Sequence, residues 1–190
     1  MRLILIIVLI AVAMWILIAG IRNQKRISFL GIFLMLLPAG ALGYFEYQWQ
    51  TVQDEISVIV QDVTGKNDTK FECERLSFAF FDAEANKKVI DDNPKVVKLK
   101  YAACAELLTW YSQEDKSQVT EEQIKALHLF SRETMRVAGN TDDKIMECLA
   151  LKNESSIIQN LGGSKATGDY VMLYYVQQIQ DIKYRDAVYC

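Results

Sequence analysis

The stretch TEEQIKALHLFSRETMRVAGNTDDKIMECLA, residues 120–150, decides the fold. Thr120-Glu-Glu-Gln123 fits a capping box, in which the Thr and Gln side chains satisfy each other's free backbone N–H groups. It predicts a helix from Glu121 to about Ala138, with Ile124, Leu127, Ser131 and Met135 inward at helical spacing and Gly139 as its end. Thr141 is then expected to cap a second helix, where Asp142 and Asp143 favour the positive N-terminal dipole. Ile145, Leu149 and Ile157 mark its expected buried stripe, and Gly162-Gly163 close it.

The same signals extend outward. A last helix is expected from about Asp169 to Tyr184, burying Val171, Tyr174, Tyr175, Ile179 and Ile182. Upstream, Asn93-Pro94 reads as a helix start, with Val97, Tyr101, Cys104 and Leu108 on one face of a helix reaching about Tyr111. Phe71 to Phe81 reads as a strand, and Asp82–Lys88 with Val89-Ile90 would complete a small β-hairpin. Gln48–Val63 carries Val52, Ile56, Ile59 and Val63 at helical spacing and is expected to be a stalk, broken by Gly65-Lys-Asn-Asp68. The fold class is therefore mainly α.

Charge divides the chain of 190 residues into two unlike parts. Residues 1–45 hold no Asp or Glu and four basic residues, Arg2, Arg22, Lys25 and Arg26. The remaining 17 basic and 24 acidic residues lie in 46–190. An acidic main segment with no basic patch excludes nucleic acid as a partner. One histidine in the whole chain excludes any site needing two imidazoles.

Leu3–Ile21 and Ile27–Phe45 are charge-free runs of about the length a hydrocarbon core requires. With the basic link Arg22–Arg26 between them, they predict a two-helix transmembrane hairpin in the plasma membrane (3–21 and 27–45, within 1–47). The link is expected on the cytoplasmic side, and the N-terminus, a stalk at 48–66 and a domain at 67–190 outside. Membrane lipid and other membrane or envelope proteins are the partners this implies. A cleaved signal peptide needs a shorter apolar core and a small-x-small site, and Ile18-Ala-Gly-Ile21 is a poor match. Four cysteines, Cys73, Cys104, Cys148 and Cys190, all fall in the second segment. Their even number reads as two disulfides, and spacing leaves all three pairings open.

The helix–Gly–helix stretch also resembles a group of actinobacterial-type extracytoplasmic proteins related to zinc metallopeptidases. Their pattern is H-E-x-x-H, then Gly, then D-E, then E-C-x-A. Glu133, Gly139, Asp142, Glu147, Cys148 and Ala150 match it, and Asp143 replaces its Glu. The ending Tyr184-Arg185 with Cys190, and Cys73…Cys104 with Phe80-Phe81-Asp82 between, are similar to that group as well. The resemblance implies a zincin-like domain and the pairings Cys73–Cys104 and Cys148–Cys190.

The motif is degenerate, because both histidine positions are arginines, Arg132 and Arg136. A guanidinium has no lone pair to offer a metal and keeps its proton, so Glu133 has no metal-bound water to activate. No catalytic residue, metal or cofactor follows. Arg132, Arg136, Glu133, Asp143 and Glu147 are expected to form ion pairs between adjacent helices; solvated faces or a remnant anion pocket are the alternatives. His128 reads as structural or, less simply, as a proton-transfer group. The expected function is a membrane-anchored binding or structural protein resembling an inactive metallopeptidase. Its rivals are an accessory subunit, packing through Gly31, Ala39, Gly40, Ala41 and Gly43, or a hydrolase with a non-standard site at Glu133, Asp143, Glu147 and His128.

Overall fold

A computed structural model describes residues 2–22, 29–74 and 93–179. Six α-helices, two strands and a π segment follow in order among them: α1 (Arg2–Arg22), α2 (Phe29–Thr64), β1 (Lys70–Cys73), β2 (Val96–Leu99), α3 (Tyr101–Tyr111), α4 (Glu121–Ala138), α5 (Asp143–Asn160), α6 (Lys165–Tyr174) and the π segment Tyr175–Ile179. The fold is mainly helical, as expected. The chain divides into two compact units, Met1–Val52 and Gln53–Cys190.

The transmembrane hairpin and its plasma-membrane placement are corrected. Among the described residues no helix is long and apolar enough to cross a membrane. The second apolar run does not end at Phe45. It continues as one helix through Gln48, Gln50, Asp54 and Glu55 to Thr64. The basic link at 23–28 lies outside the described residues.

From Gln53 onward the expected stalk helix contributes to the core of the second unit. Ile56 and Val60 are fully buried. On the same side of α2, Gln53 Oε1 accepts from the Cys73 N–H, Ser57 Oγ from the Phe71 N–H, both at 2.9 Å, and Gln61 Nε2 donates to the Thr69 carbonyl at 2.9 Å. Three polar side chains spaced one turn apart thus satisfy the open edge of β1, a strand that would otherwise offer unpaired backbone. Gly65, at φ 66°, then reverses the chain into β1.

Among the described residues β1 pairs with β2 in parallel. Lys70 sits opposite Val96 and Cys73 opposite Leu99. The rest of the expected strand, its turn and Val89-Ile90 lie outside the described residues. Asn93 does not cap a helix; its Oδ1 accepts from the Lys95 N–H at 3.0 Å, and its carbonyl from the Val96 N–H at 3.3 Å. This turn delivers Val96, Val97 and Leu99 to a buried strand, where β-branched side chains pack well, and α3 begins only at Tyr101. A disulfide joins Cys73 at the end of β1 to Cys104 in the first turn of α3, closing a loop that contributes about 4 kcal/mol in the chain-entropy model. Cys148 is disulfide-bonded too, and Cys190 lies outside the described residues.

Helices α3 to α6 pack in sequence, each on the next. The α4 capping box forms with both bonds, Gln123 N–H to Thr120 Oγ1 at 3.3 Å and Thr120 N–H to Gln123 Oε1 at 3.0 Å. Asp142, not Thr141, caps α5: its Oδ1 accepts from the Lys144 and Ile145 N–H groups. The inward stripe of α5 is shifted from the expected one. Ile145 is exposed, and Met146, Glu147, Ala150, Leu151, Glu154, Ile157 and Ile158 are buried. Helix α6 starts at Lys165, ahead of the expected Asp169, because Ser164 Oγ caps it by accepting from the Thr167 N–H at 3.0 Å. Gly168 allows α6 to lie directly on α5, where an added Cβ would fall 2.6 Å from the Ser155 Cα. Tyr184, Arg185 and Ile182 lie outside the described residues.

Candidate functional site

Helices α4 and α5 face each other with charged groups turned inward. His128, on the buried stripe of α4, is 3% exposed, Glu147 3% and Glu154 fully buried. The His128 ring lies between the two carboxylates. Its Nδ1 donates to Glu154, 3.4 Å from Oε2 and 3.3 Å from Oε1. Its Nε2 is 3.2 Å from Glu147 Oε1. That second contact is close but poorly aligned for a hydrogen bond, so it acts through charge. Tyr175, the first residue of the π segment, stacks on the imidazole with centroids 3.5 Å and planes 18° apart.

Burial is the largest influence on His128 and by itself favours the neutral ring. The charge of Glu154 and the contacts with both carboxylates outweigh it and push the pKa up to about 9. Burial first, then the charges of Glu147 and Glu154, also raise the Tyr175 phenol, which keeps its proton. The cluster thus consists of an imidazolium, two carboxylates and a neutral phenol.

The two arginines at the motif's histidine positions serve as braces. Arg132 Nη2 pairs with Asp143 Oδ1 at 3.0 Å, and its Nε approaches Glu147 Oε2 at 3.7 Å, linking α4 to the first turn of α5. Arg136 does not join that group. Its Nε donates to Glu133 Oε2 at 2.8 Å, Nη2 to the Val96 carbonyl at 2.7 Å and Nη1 to the Asn93 carbonyl at 3.3 Å. The five residues singled out by the motif therefore separate. Arg132, Asp143 and Glu147 meet between α4 and α5, while Glu133 and Arg136 meet on the side of α4 that grips β2.

Sequence reasoning misses Glu154, and it places Tyr175 inside the last helix without pairing it with His128. Glu154 follows Glu147 by seven residues, two helical turns, and so shares its face with Ala150, Leu151 and Ile158. That spacing was the available signal, and the choice of Ile145 and Leu149 as the inward stripe hid it. Among the described residues no group of three or more His, Cys, Asp or Glu side chains is arranged to hold a metal ion. Compared with protein-family models, curated proteins and solved structures, the chain matches none.

Proposed function

We propose that the chain is a non-catalytic binding or structural protein whose helical domain derives from a metallopeptidase-like pattern. The observation that carries this is Arg136. At a position where the pattern would need a metal-binding imidazole, its guanidinium is spread over Glu133 and two backbone carbonyls of the β2 approach. Each of these bonds is charge-assisted, so the side chain fixes α4 to the sheet and cannot turn to a metal or substrate. Glu133, which would activate water in such a site, is committed to the same bond. The hydrolase alternative lacks support of its own, since His128 and Glu147 are both closed off from solvent and from any substrate.

The partner we infer is an apolar helix of another protein, docking on the N-terminal part of α2. Leu36, Leu37, Tyr44 and Tyr47 are exposed there at helical spacing, and such a strip suits the apolar face of a second helix. Gly40 and Gly43 lie between them, and a Cβ at either would meet nothing within 4 Å. Among the described residues their small size serves no packing, and it would let a second helix backbone approach closely. The test is affinity purification of the full chain beside Gly40→Leu. A single stoichiometric partner retained by the first and lost by the second supports this reading. Equal recovery from both, or no partner with either, overturns it.

A further inference from the structure

His128 is the point where three elements meet. It belongs to α4, its two nitrogens face Glu147 and Glu154 of α5, and the flat side of its ring meets Tyr175 of the π segment. A neutral imidazole has one N–H and one lone pair. Set between two carboxylates, its lone pair would face an anion, so only the doubly protonated ring suits both sides. The other charges around it fix the balance. Arg132, on the same helix, is the second cation and shares Glu147 with His128. Asp143 touches the group only through Arg132 at its exposed rim. One turn before His128, Lys125 is paired with Glu121 and Glu122 and compensates nothing here. Loss of the imidazole proton therefore removes the positive charge that sits directly between the two buried carboxylates. His128 Nε2, Arg132 Nε and Glu154 Oε1 already lack an aligned hydrogen-bond partner among the described residues, so no spare bond takes up the loss.

The element exposed to that loss is the π segment. It interrupts the regular helical ladder after Tyr174. None of its five residues is fully buried, and it packs on α4 and α6. The stack of Tyr175 on His128 holds it inward.

We propose that His128, Glu147, Glu154 and Tyr175 form a protonic latch: the protonated imidazole, clamped between the two carboxylates, holds the segment 175–179 against α4, and loss of that proton releases it. The sign follows from the cluster. Because the carboxylates raise the folded-state pKa from 6.5 to about 9, the latch is closed through neutral pH and opens as pH rises through about 9.

A single histidine makes the test unambiguous, since every imidazole signal of the full-length chain belongs to His128. Nitrogen-15 spectra followed with pH should show both ring nitrogens protonated at neutral pH and a midpoint near 9. Pulsed amide hydrogen exchange, corrected for intrinsic rates, should show protection of 175–179 falling with that midpoint. The fall is bounded by the pKa difference at about 300-fold, and the amides of 124–135 should keep their protection. Tyr175→Ala should show the low protection of 175–179 already at neutral pH, while Tyr175→Phe, which keeps the stack, should remain protected there. A midpoint near 6.5 overturns the latch. So does unchanged protection at 175–179, a uniform loss across all helices, or a Tyr175→Ala variant as well protected as the parent.

Discussion

Arg136 Nη2 donates to the carbonyl oxygen of Val96 at 2.7 Å, so a side chain of α4 holds the backbone of β2. Helix and sheet are forty residues apart in sequence, and this guanidinium joins them. Arg136→Ala should lower stability by about 2–3 kcal/mol, since it removes charge-assisted bonds and leaves two carbonyls short of a donor. Arg136→Lys should recover only part of that, because an ammonium lacks the planar fork that reaches Glu133 and both carbonyls together. Urea unfolding of the two variants checks the order.

Caps separate two adjacent residues. Asp142 accepts from two N–H groups at the start of α5, so Asp142→Ala should cost about 1 kcal/mol. Thr141 is exposed and outside the cap, and Thr141→Ala should leave the thermal midpoint unchanged. If the Thr141 change is the costlier, the helix begins one residue earlier than described.

Two glycines inside helices should respond with opposite signs. Helix propensity alone favours Gly→Ala by about 1 kcal/mol. At Gly40 a Cβ meets open space, so Gly40→Ala should be neutral or stabilising. At Gly168 a Cβ falls 2.6 Å from the Ser155 Cα, and backbone cannot yield cheaply; overpacking of about 1–3 kcal/mol then outweighs propensity. Gly168→Ala should lower the unfolding midpoint. Equal responses would mean that α6 does not lie so closely on α5.

Stability should depend on pH through His128. Its folded-state pKa is raised above the unfolded 6.5 to about 9. The stabilisation is then complete below about pH 6.5 and lost as pH rises through about 9, an effect of at most about 3 kcal/mol. Denaturant midpoints measured from pH 6 to 10 should fall for the parent and change less for His128→Gln.

These residues also show what could be read without coordinates. Helix α4 was legible to the residue at its start because its cap is local: Thr120 and Gln123 need nothing but each other. Strand β2 was not, since Asn93-Pro94 carries a helix-start signature and the competing pull, burial of Val96 and Val97 beside β1, comes from residues distant in sequence. Glu154 was missed for the same reason. A glutamate is ordinarily placed outside, and His128 across the α4–α5 interface helps to make its burial tolerable. The apolar runs near the N-terminus were read by length and composition, whereas α2 continues unbroken past the second run into the core of the other unit.

The proposal that Arg132 and Arg136 are committed to ion pairs and that the chain holds no zinc has a direct test. Isothermal titration of zinc into the purified full-length chain tests it most directly. The account predicts no stoichiometric binding, for the parent and for Glu147→Ala alike. One zinc bound per chain, and lost in Glu147→Ala, would contradict it.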